Sequence, residues 1–83
     1  MPDTATFKDA ELDDFLDFAT RMGYTSLPVR RDFEVLRLKR GNAPTMVYCR
    51  RQRDPETVWA ERGEATKLVR YWLAYKLQKG ASQ

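Results

Sequence analysis

Six cations lie in two short groups on either side of a turn that contains glycine and proline. They are Arg37, Lys39, Arg40, Arg50, Arg51 and Arg53. Such groups neutralise phosphates and release their counterions, and the ring of Tyr48, which lies among them, offers a plane on which a nucleic-acid base can stack. This stretch therefore predicts a contact with nucleic acid. An acidic protein surface is the alternative partner that the same cations fit.

Other chemistry is limited by the residue types that the chain lacks. There is no histidine and Cys49 is the only cysteine, which excludes the usual zinc sites and the catalytic mechanisms that depend on histidine. The cations beside Cys49 favour a reactive thiolate, but a small buried side chain is the preferred interpretation. Neither main strand carries the acid and lysine spacing of a magnesium-dependent nuclease. We therefore expect a protein that is not an enzyme and has no cofactor.

Length and composition bound the architecture. The 83 residues, 42% apolar and 33% charged, predict a single small domain over residues 1–83 with an ordered core from about residue 7 to residue 79. No segment approaches the roughly 20 apolar residues of a membrane span, and the N-terminus lacks the pattern of a secretory signal. The lone cysteine agrees with a reducing compartment, so a cytoplasmic protein is expected.

Charge is distributed unevenly along the chain. Residues 1–20 hold six acidic side chains and one lysine, whereas 14 of the 15 basic residues follow them. This asymmetry has two interpretations. Either the basic part is a contact surface for a polyanion, or an acidic helix and a basic sheet neutralise each other inside the molecule.

Two amphipathic helices are predicted. Thr6 followed by Asp9 has the pattern of a helix start and Gly23 that of a helix end, so the first helix runs from about residue 7 to residue 22. Its apolar stripe is Leu12, Phe15, Leu16, Ala19 and Met22. The second helix follows Gly63 and ends near residue 79. Its stripe is Ala65, Leu68, Val69, Trp72, Leu73 and Leu77.

Between the helices, β-forming residues predict three strands, at about 33–40, 45–51 and 57–60. The expected fold is α+β. It is a two-layer α-β-β-β-α arrangement in which a three-stranded antiparallel sheet carries both helices on one face. The other face is then left to solvent or to a partner.

Alternation of side chains along the strands predicts which residues share that open face. In this prediction Leu36, Leu38, Val47 and Cys49 point towards the helices. The opposite face then carries Val35, Arg37, Lys39, Met46, Tyr48 and Arg50. The remaining cations lie near strand ends, where alternation does not fix a face. A shift of one residue reverses the assignment of a whole strand.

A second candidate surface lies on the second helix. Tyr71 and Tyr75 are spaced i, i+4, and Arg70 and Trp72 are beside them. Tyr, Trp and Arg are favoured at the centres of protein interfaces, so this group predicts a protein-binding or dimer surface. The alternative is that Trp72 belongs to the core and the tyrosines border it, with their hydroxyl groups in water.

The predicted element order and the chain length resemble the double-stranded-RNA-binding domain. That family places a Gly-Pro-x-His loop between two strands and a Lys-Lys-x-Ala-Lys segment at the start of its second helix. Here residues 41–44 read Gly-Asn-Ala-Pro and residues 64–67 read Glu-Ala-Thr-Lys. Because both phosphate-gripping elements are absent, the resemblance implies a shared topology and no shared function.

The sequence thus favours a small, non-enzymatic binding protein whose basic hairpin contacts nucleic acid through phosphates. The alternative is a protein-interaction module, such as the inhibitors and adaptors that phages and mobile elements direct at host proteins. A homodimer is compatible with either hypothesis.

Overall fold

The structure, a computed structural model, describes residues 4–61 and 63–81. Its elements in chain order are β1 (Ala5–Lys8), a 3-10 turn (Asp9–Glu11), α1 (Leu12–Arg21), β2 (Thr25–Leu27), β3 (Glu34–Lys39), β4 (Met46–Arg51), β5 (Asp54–Ala60) and α2 (Glu64–Ala81). The strands form one antiparallel sheet in the order β1-β5-β4-β3-β2. The α+β class, the two helices and the antiparallel sheet are confirmed.

The sheet has five strands in the described residues, so the prediction of three was wrong. The strand β1 lies where the first helix was predicted to begin, and Thr6 pairs with Trp59 across the sheet instead of capping a helix. The residues of β1 alternate between buried and exposed, a strand pattern that the acid three residues after Thr6 disguised as a helix start. The second unpredicted strand, β2, covers only the three residues before Pro28. The order β-α-β-β-β-β-α replaces the expected α-β-β-β-α.

The end of α1 matches its prediction. The backbone of Gly23 has a φ of 94°, and its N–H donates to the carbonyl of Thr20. The N–H of Tyr24 donates to the carbonyl of Ala19 at 3.0 Å. These bonds satisfy carbonyls at the end of the helix and turn the chain towards β2, a geometry that glycine adopts without steric cost.

A cluster of four aromatic rings joins both helices to the same face of the sheet. The ring of Phe15 in α1 lies 4.7 Å from that of Phe7, 5.1 Å from that of Tyr48 and 5.2 Å from that of Trp72, measured between centroids. All four side chains are buried, and tilted and edge-to-face contacts of this kind stabilise beyond the area they bury. Both helices therefore lie on one face, as predicted.

The face assignment is correct for β3 and wrong for β4. Leu36 and Leu38 are buried as predicted, but the buried residues of β4 are Met46 and Tyr48. Val47, predicted to point inward, is only partly buried. Met46 and Tyr48 offer more apolar area than Val47 and Cys49, so burying the larger pair gains more free energy. The polar end of Tyr48 is also satisfied, because its hydroxyl donates to the carbonyl of Ala65 at 3.1 Å.

The second helix begins with a local hydrogen bond. The hydroxyl of Thr66 donates to the carbonyl of Gly63 at 2.7 Å. The backbone of Gly63 has a φ of 62°, which glycine tolerates. Four side chains of the predicted apolar stripe are buried, Ala65, Leu68, Val69 and Trp72, but its last two, Leu73 and Leu77, are exposed. No helix within the described ranges is long and apolar enough to cross a membrane.

Candidate binding surface on the open face of the sheet

The open face is the side of the sheet that neither helix covers. The register places Arg37 opposite Val47 and Cys49 opposite Trp59, so these four side chains share it. Arg37 therefore lies on the predicted face. Tyr48 does not, because its side chain is in the core, and burial raises its pKa above the ordinary value. Tyr48 therefore does not offer the stacking plane for a base that the sequence predicted.

Arg37 is held by a carboxylate of its own strand. Its guanidinium binds both oxygens of Glu34, with Nη2 donating to Oε2 at 3.0 Å, and the backbone N–H of Arg30 donates to Oε1 at 3.1 Å. A register shift between Glu34 and Leu36 brings the two partners to the same side. The bonds from Arg37 lower the pKa of Glu34 to about 2, against the opposing effect of burial. The side chain of Arg37 is 16% exposed, so little of its charge faces solvent.

Arg51 is also paired with a glutamate, and in addition it stacks on an aromatic ring. Its guanidinium carbon lies 3.8 Å from the centroid of the Trp59 ring, and its Nη2 donates to Oε1 of Glu61 at 2.5 Å. The cation–π contact and the ion pair together hold the guanidinium flat against the ring, which gives an amphipathic surface over the end of β5. The indole N–H of Trp59 lies beneath it, buried and without a hydrogen-bond partner among the described residues.

The remaining predicted cations divide into bound and exposed groups. Arg50 shares the face of the buried Val58 rather than the open face, and it is bonded to Asp9. Arg40 donates to the carbonyl of Met22 at 3.1 Å and lies over the ring of Tyr24. Two predicted cations are exposed and make no described hydrogen bond or ion pair. They are Lys39 and Arg53.

The acidic N-terminal part meets basic residues from elsewhere in the fold. Besides the bond of Arg50 to Asp9, Lys76 of α2 binds Glu11 at 2.8 Å. Arg21 pairs with Asp17 within α1. The charge asymmetry of the sequence is therefore at least partly compensated inside the molecule, which was one of its two interpretations.

Cys49 lies on the open face and is partly buried. Burial raises the pKa of its thiol, and the carboxylates of Glu61 and Glu34 act in the same direction. The neighbouring arginines act in the opposite direction, but their effect is smaller. The thiol is therefore less ionised than a free cysteine, so the structure supports a packing role for Cys49 over a reactive one.

A groove of about 740 Å³ extends from this face around the end of the sheet to the start of α2, and it is called the open-face groove below. Val47 and Cys49 contribute to its lining, and the half-exposed ring of Phe33 stands at its border. The described charged residues that line it are two arginines and three glutamates. They are Arg31, Arg37, Glu34, Glu61 and Glu64. Sequence reasoning did not place Phe33 and Glu61 on one surface, because only the pairing of the strands and the position of the segment before α2 bring them together.

The tyrosines predicted as an interface border the core. The rings of Tyr71 and Tyr75 lie 5.8 and 5.3 Å from the ring of Phe18, so both face α1. They are 58% and 39% exposed, which matches the interpretation of rings packed inward with hydroxyl groups in water. Arg70 is exposed but lies about 100° around the helix from Tyr71, and therefore on another side.

No protein-family model matches this chain, and neither curated proteins nor solved structures give a significant match. Within the described ranges, no group of three or more acidic or cysteine side chains is arranged to hold a metal ion.

Proposed function

We propose that this protein is a protein-interaction module that binds a partner protein through the open-face groove, as a small inhibitor or adaptor does. The observation that carries this proposal is the charge of the groove. The described residues that line it carry three carboxylates and two guanidinium groups. Arg37 is bonded to Glu34, and Arg51, which lies beside the groove, is bonded to Glu61. A polyanion gains little from such a surface, because its phosphates would face carboxylates.

The composition of the groove fits the centre of a protein interface. Such centres combine apolar floors with aromatic and arginine side chains and a polar border. Val47 and Cys49 supply the apolar floor and Phe33 is 49% exposed. Beside the groove, Arg51 lies flat on Trp59. The ion pairs already restrict the arginine side chains. A partner that covers these side chains therefore causes little further loss of conformational entropy.

The test compares two matched double variants. Phe33→Ala with Arg51→Ala removes an exposed ring and a paired arginine from the open face, whereas Tyr71→Ala with Arg21→Ala removes the same types from the helix layer. Tagged protein is used to capture partners from nuclease-treated lysate, with quantification by mass spectrometry. We expect one stoichiometric partner that wild type and the helix-layer variant retain and that the open-face variant loses. A partner retained equally by all three proteins contradicts the proposal.

Nucleic-acid binding, the function that the sequence favoured, makes a different prediction. Its remaining support is the exposed pair Lys39 and Arg53 and the net charge of +3. Binding of labelled DNA and RNA is measured against salt concentration for wild type and for the Lys39→Ala, Arg53→Ala variant. If the logarithm of the affinity falls linearly with the logarithm of the salt concentration, and the slope is smaller in the variant, the function would be nucleic-acid binding through phosphates and not protein binding.

A further inference from the structure

The two edges of the sheet differ in how they are protected against pairing with another chain. The β2 edge is three residues long and is followed by Pro28, which has no N–H to donate. The β1 edge, Ala5–Lys8, ends the sheet on the other side, and no described strand pairs with its outer side. Lys8 is its only charged residue and lies at its end. The β1 edge is also short, but it is one residue longer, its single lysine lies at its end and it contains no proline, so it is the less protected of the two.

An exposed apolar strip of α2 lies on the same side of the molecule. Tyr71 and Tyr75 face α1, and Trp72 faces the sheet. Helical spacing then places Leu73 and Leu77 on the flank that points away from α1. They are 40% and 78% exposed, although the apolar stripe of the sequence includes both. The helix α2 begins over β4, where Ala65 meets Tyr48, and reaches β1 further along, where the ring of Trp72 lies 5.3 Å from that of Phe7. The part of α2 that carries this flank therefore lies on the side of the free β1 edge.

We infer that this surface is a homodimer interface, in which β1 pairs antiparallel with β1 of a second copy and the Leu73–Leu77 flanks of the two α2 helices meet above it. A twofold axis perpendicular to the sheet produces both contacts at once, since each copy presents the same strand edge and the same helix flank. A single extended peptide would satisfy the strand edge but would leave Leu73 and Leu77 exposed. The second copy covers both layers.

The register of this pairing follows from the faces of β1. Residues directly opposite each other in an antiparallel pair share a face, so a symmetric pair must centre on a residue, and the two in the middle of β1 are Thr6 and Phe7. The register centred on Phe7 requires Asp9, which already belongs to the 3-10 turn that leaves the sheet. The register centred on Thr6 places Thr6 opposite its own copy and Ala5 opposite Phe7. Lys8 then faces Thr4, and no like charges oppose each other.

Disulfide cross-linking tests this register. In a Cys49→Ser background, Thr6→Cys introduces one thiol opposite its own copy at a Cα separation of about 4.5–5.5 Å, which suits a disulfide. Thr57→Cys is the matched control, because Thr57 lies on the same face one strand further in, opposite Lys8. Ser26→Cys probes the β2 edge. Under mild oxidation we expect a covalent dimer of the Thr6→Cys protein only, seen on a non-reducing gel.

Sedimentation of the uncross-linked protein tests the helix contact. Leu77→Lys puts a charge into the proposed interface and should raise the dimer Kd at least about tenfold, since each copy loses a buried leucine. Ala74→Lys adds the same charge to the exposed side of α2 and should leave the Kd unchanged. A monomer at every accessible concentration overturns the inference. A dimer that cross-links through Ser26, or that fails to cross-link through Thr6, overturns it as well.

Discussion

Arg37 and Arg51 show that neighbouring side chains decide whether the charge of an arginine is available to a ligand. Both were predicted to bind phosphate, and both are bonded to a glutamate of the same chain. A phosphate that approaches either guanidinium must compete with a carboxylate already in place. The ion pairs therefore support the proposed contact with a protein over a contact with nucleic acid.

Glu34 gives the molecule a pH dependence whose direction follows from its pKa. Arg37 lowers the pKa to about 2 from an ordinary value of 4.5, so the unfolded chain binds a proton at this carboxyl more readily than the folded protein. The stabilisation is fully present above pH 4.5 and is lost as the pH falls towards 2. We expect Glu34→Gln to unfold at lower urea concentration than wild type at pH 7, with a smaller difference at pH 3. An unchanged difference would show that Glu34 titrates normally.

Tyr48 should act on stability and not on ligand binding. Tyr48→Phe keeps the buried ring and removes the hydrogen bond to the carbonyl of Ala65, which should cost about 1 kcal/mol of the free energy of unfolding. Tyr71→Phe, at a ring that is 58% exposed, should cost much less. Urea denaturation measures both. Equal effects of the two substitutions would contradict the buried position of Tyr48.

At the scale of elements, the end of α1 depends on a backbone conformation rather than on a side chain. Gly23 has a φ of 94°, and a Cβ added there would meet the side chain of Arg40 at 3.4 Å. Gly23→Ala should therefore destabilise the protein by about 1–2 kcal/mol, measured by thermal or urea denaturation. Gly41→Asn is the comparison, because its φ of 57° lies where asparagine is tolerated and a Cβ there meets nothing. We expect the asparagine variant to lose less of the free energy of unfolding than the alanine variant.

The strand β4 shows what alternation does and does not fix. Its pattern of one face in and one face out is present, with Met46 and Tyr48 buried and Val47 partly exposed. Alternation is equally consistent with either assignment, so the choice depends on which residues the helices and neighbouring strands can cover. The carbonyl of Ala65 in α2 decides in favour of Tyr48, because it accepts the hydroxyl proton that burial would otherwise leave unpaired.

At the scale of the whole molecule, stability should come from the aromatic cluster more than from the ion pairs. Phe15 is fully buried against three other rings, so Phe15→Ala should cost about 3–5 kcal/mol, a large part of the stability of a domain this small. Glu11→Gln breaks the partly exposed pair with Lys76 and should cost less than about 1 kcal/mol. Chemical denaturation of both variants measures the contrast. If Glu11→Gln cost as much free energy of unfolding as Phe15→Ala, the ion pairs would contribute as much to stability as the aromatic cluster.

The two proposed surfaces are compatible with each other in one assembly. Pairing through β1 continues the sheet into the second copy, so both open-face grooves lie on the same side of a ten-stranded sheet. The groove is bordered by β3, β4 and the start of α2, and no residue of β1 lines it. A dimer therefore leaves both grooves accessible and offers a partner two binding sites, which raises avidity when the partner itself presents two copies of its site.

Several features of this protein follow from the sequence alone. The α+β class, both helices, the glycine that ends α1 and the buried positions Phe15 and Ala19 of its apolar stripe all depend on neighbours within a few residues. Local periodicity and spacing carry that information. The central strands β3 and β4 were predicted to within a residue at each end for the same reason.

The tertiary structure alone decided the two edge strands, the face of Tyr48 and the partners of the cations. The edge strands have three and four residues, so any alternation in them is too short to outweigh competing local signals, and they exist because β3 and β5 offer unpaired backbone. The partners of Arg50 and Lys76 lie 41 and 65 residues earlier in the chain. Such contacts depend on how the sheet and the helices pack, and no local pattern encodes them.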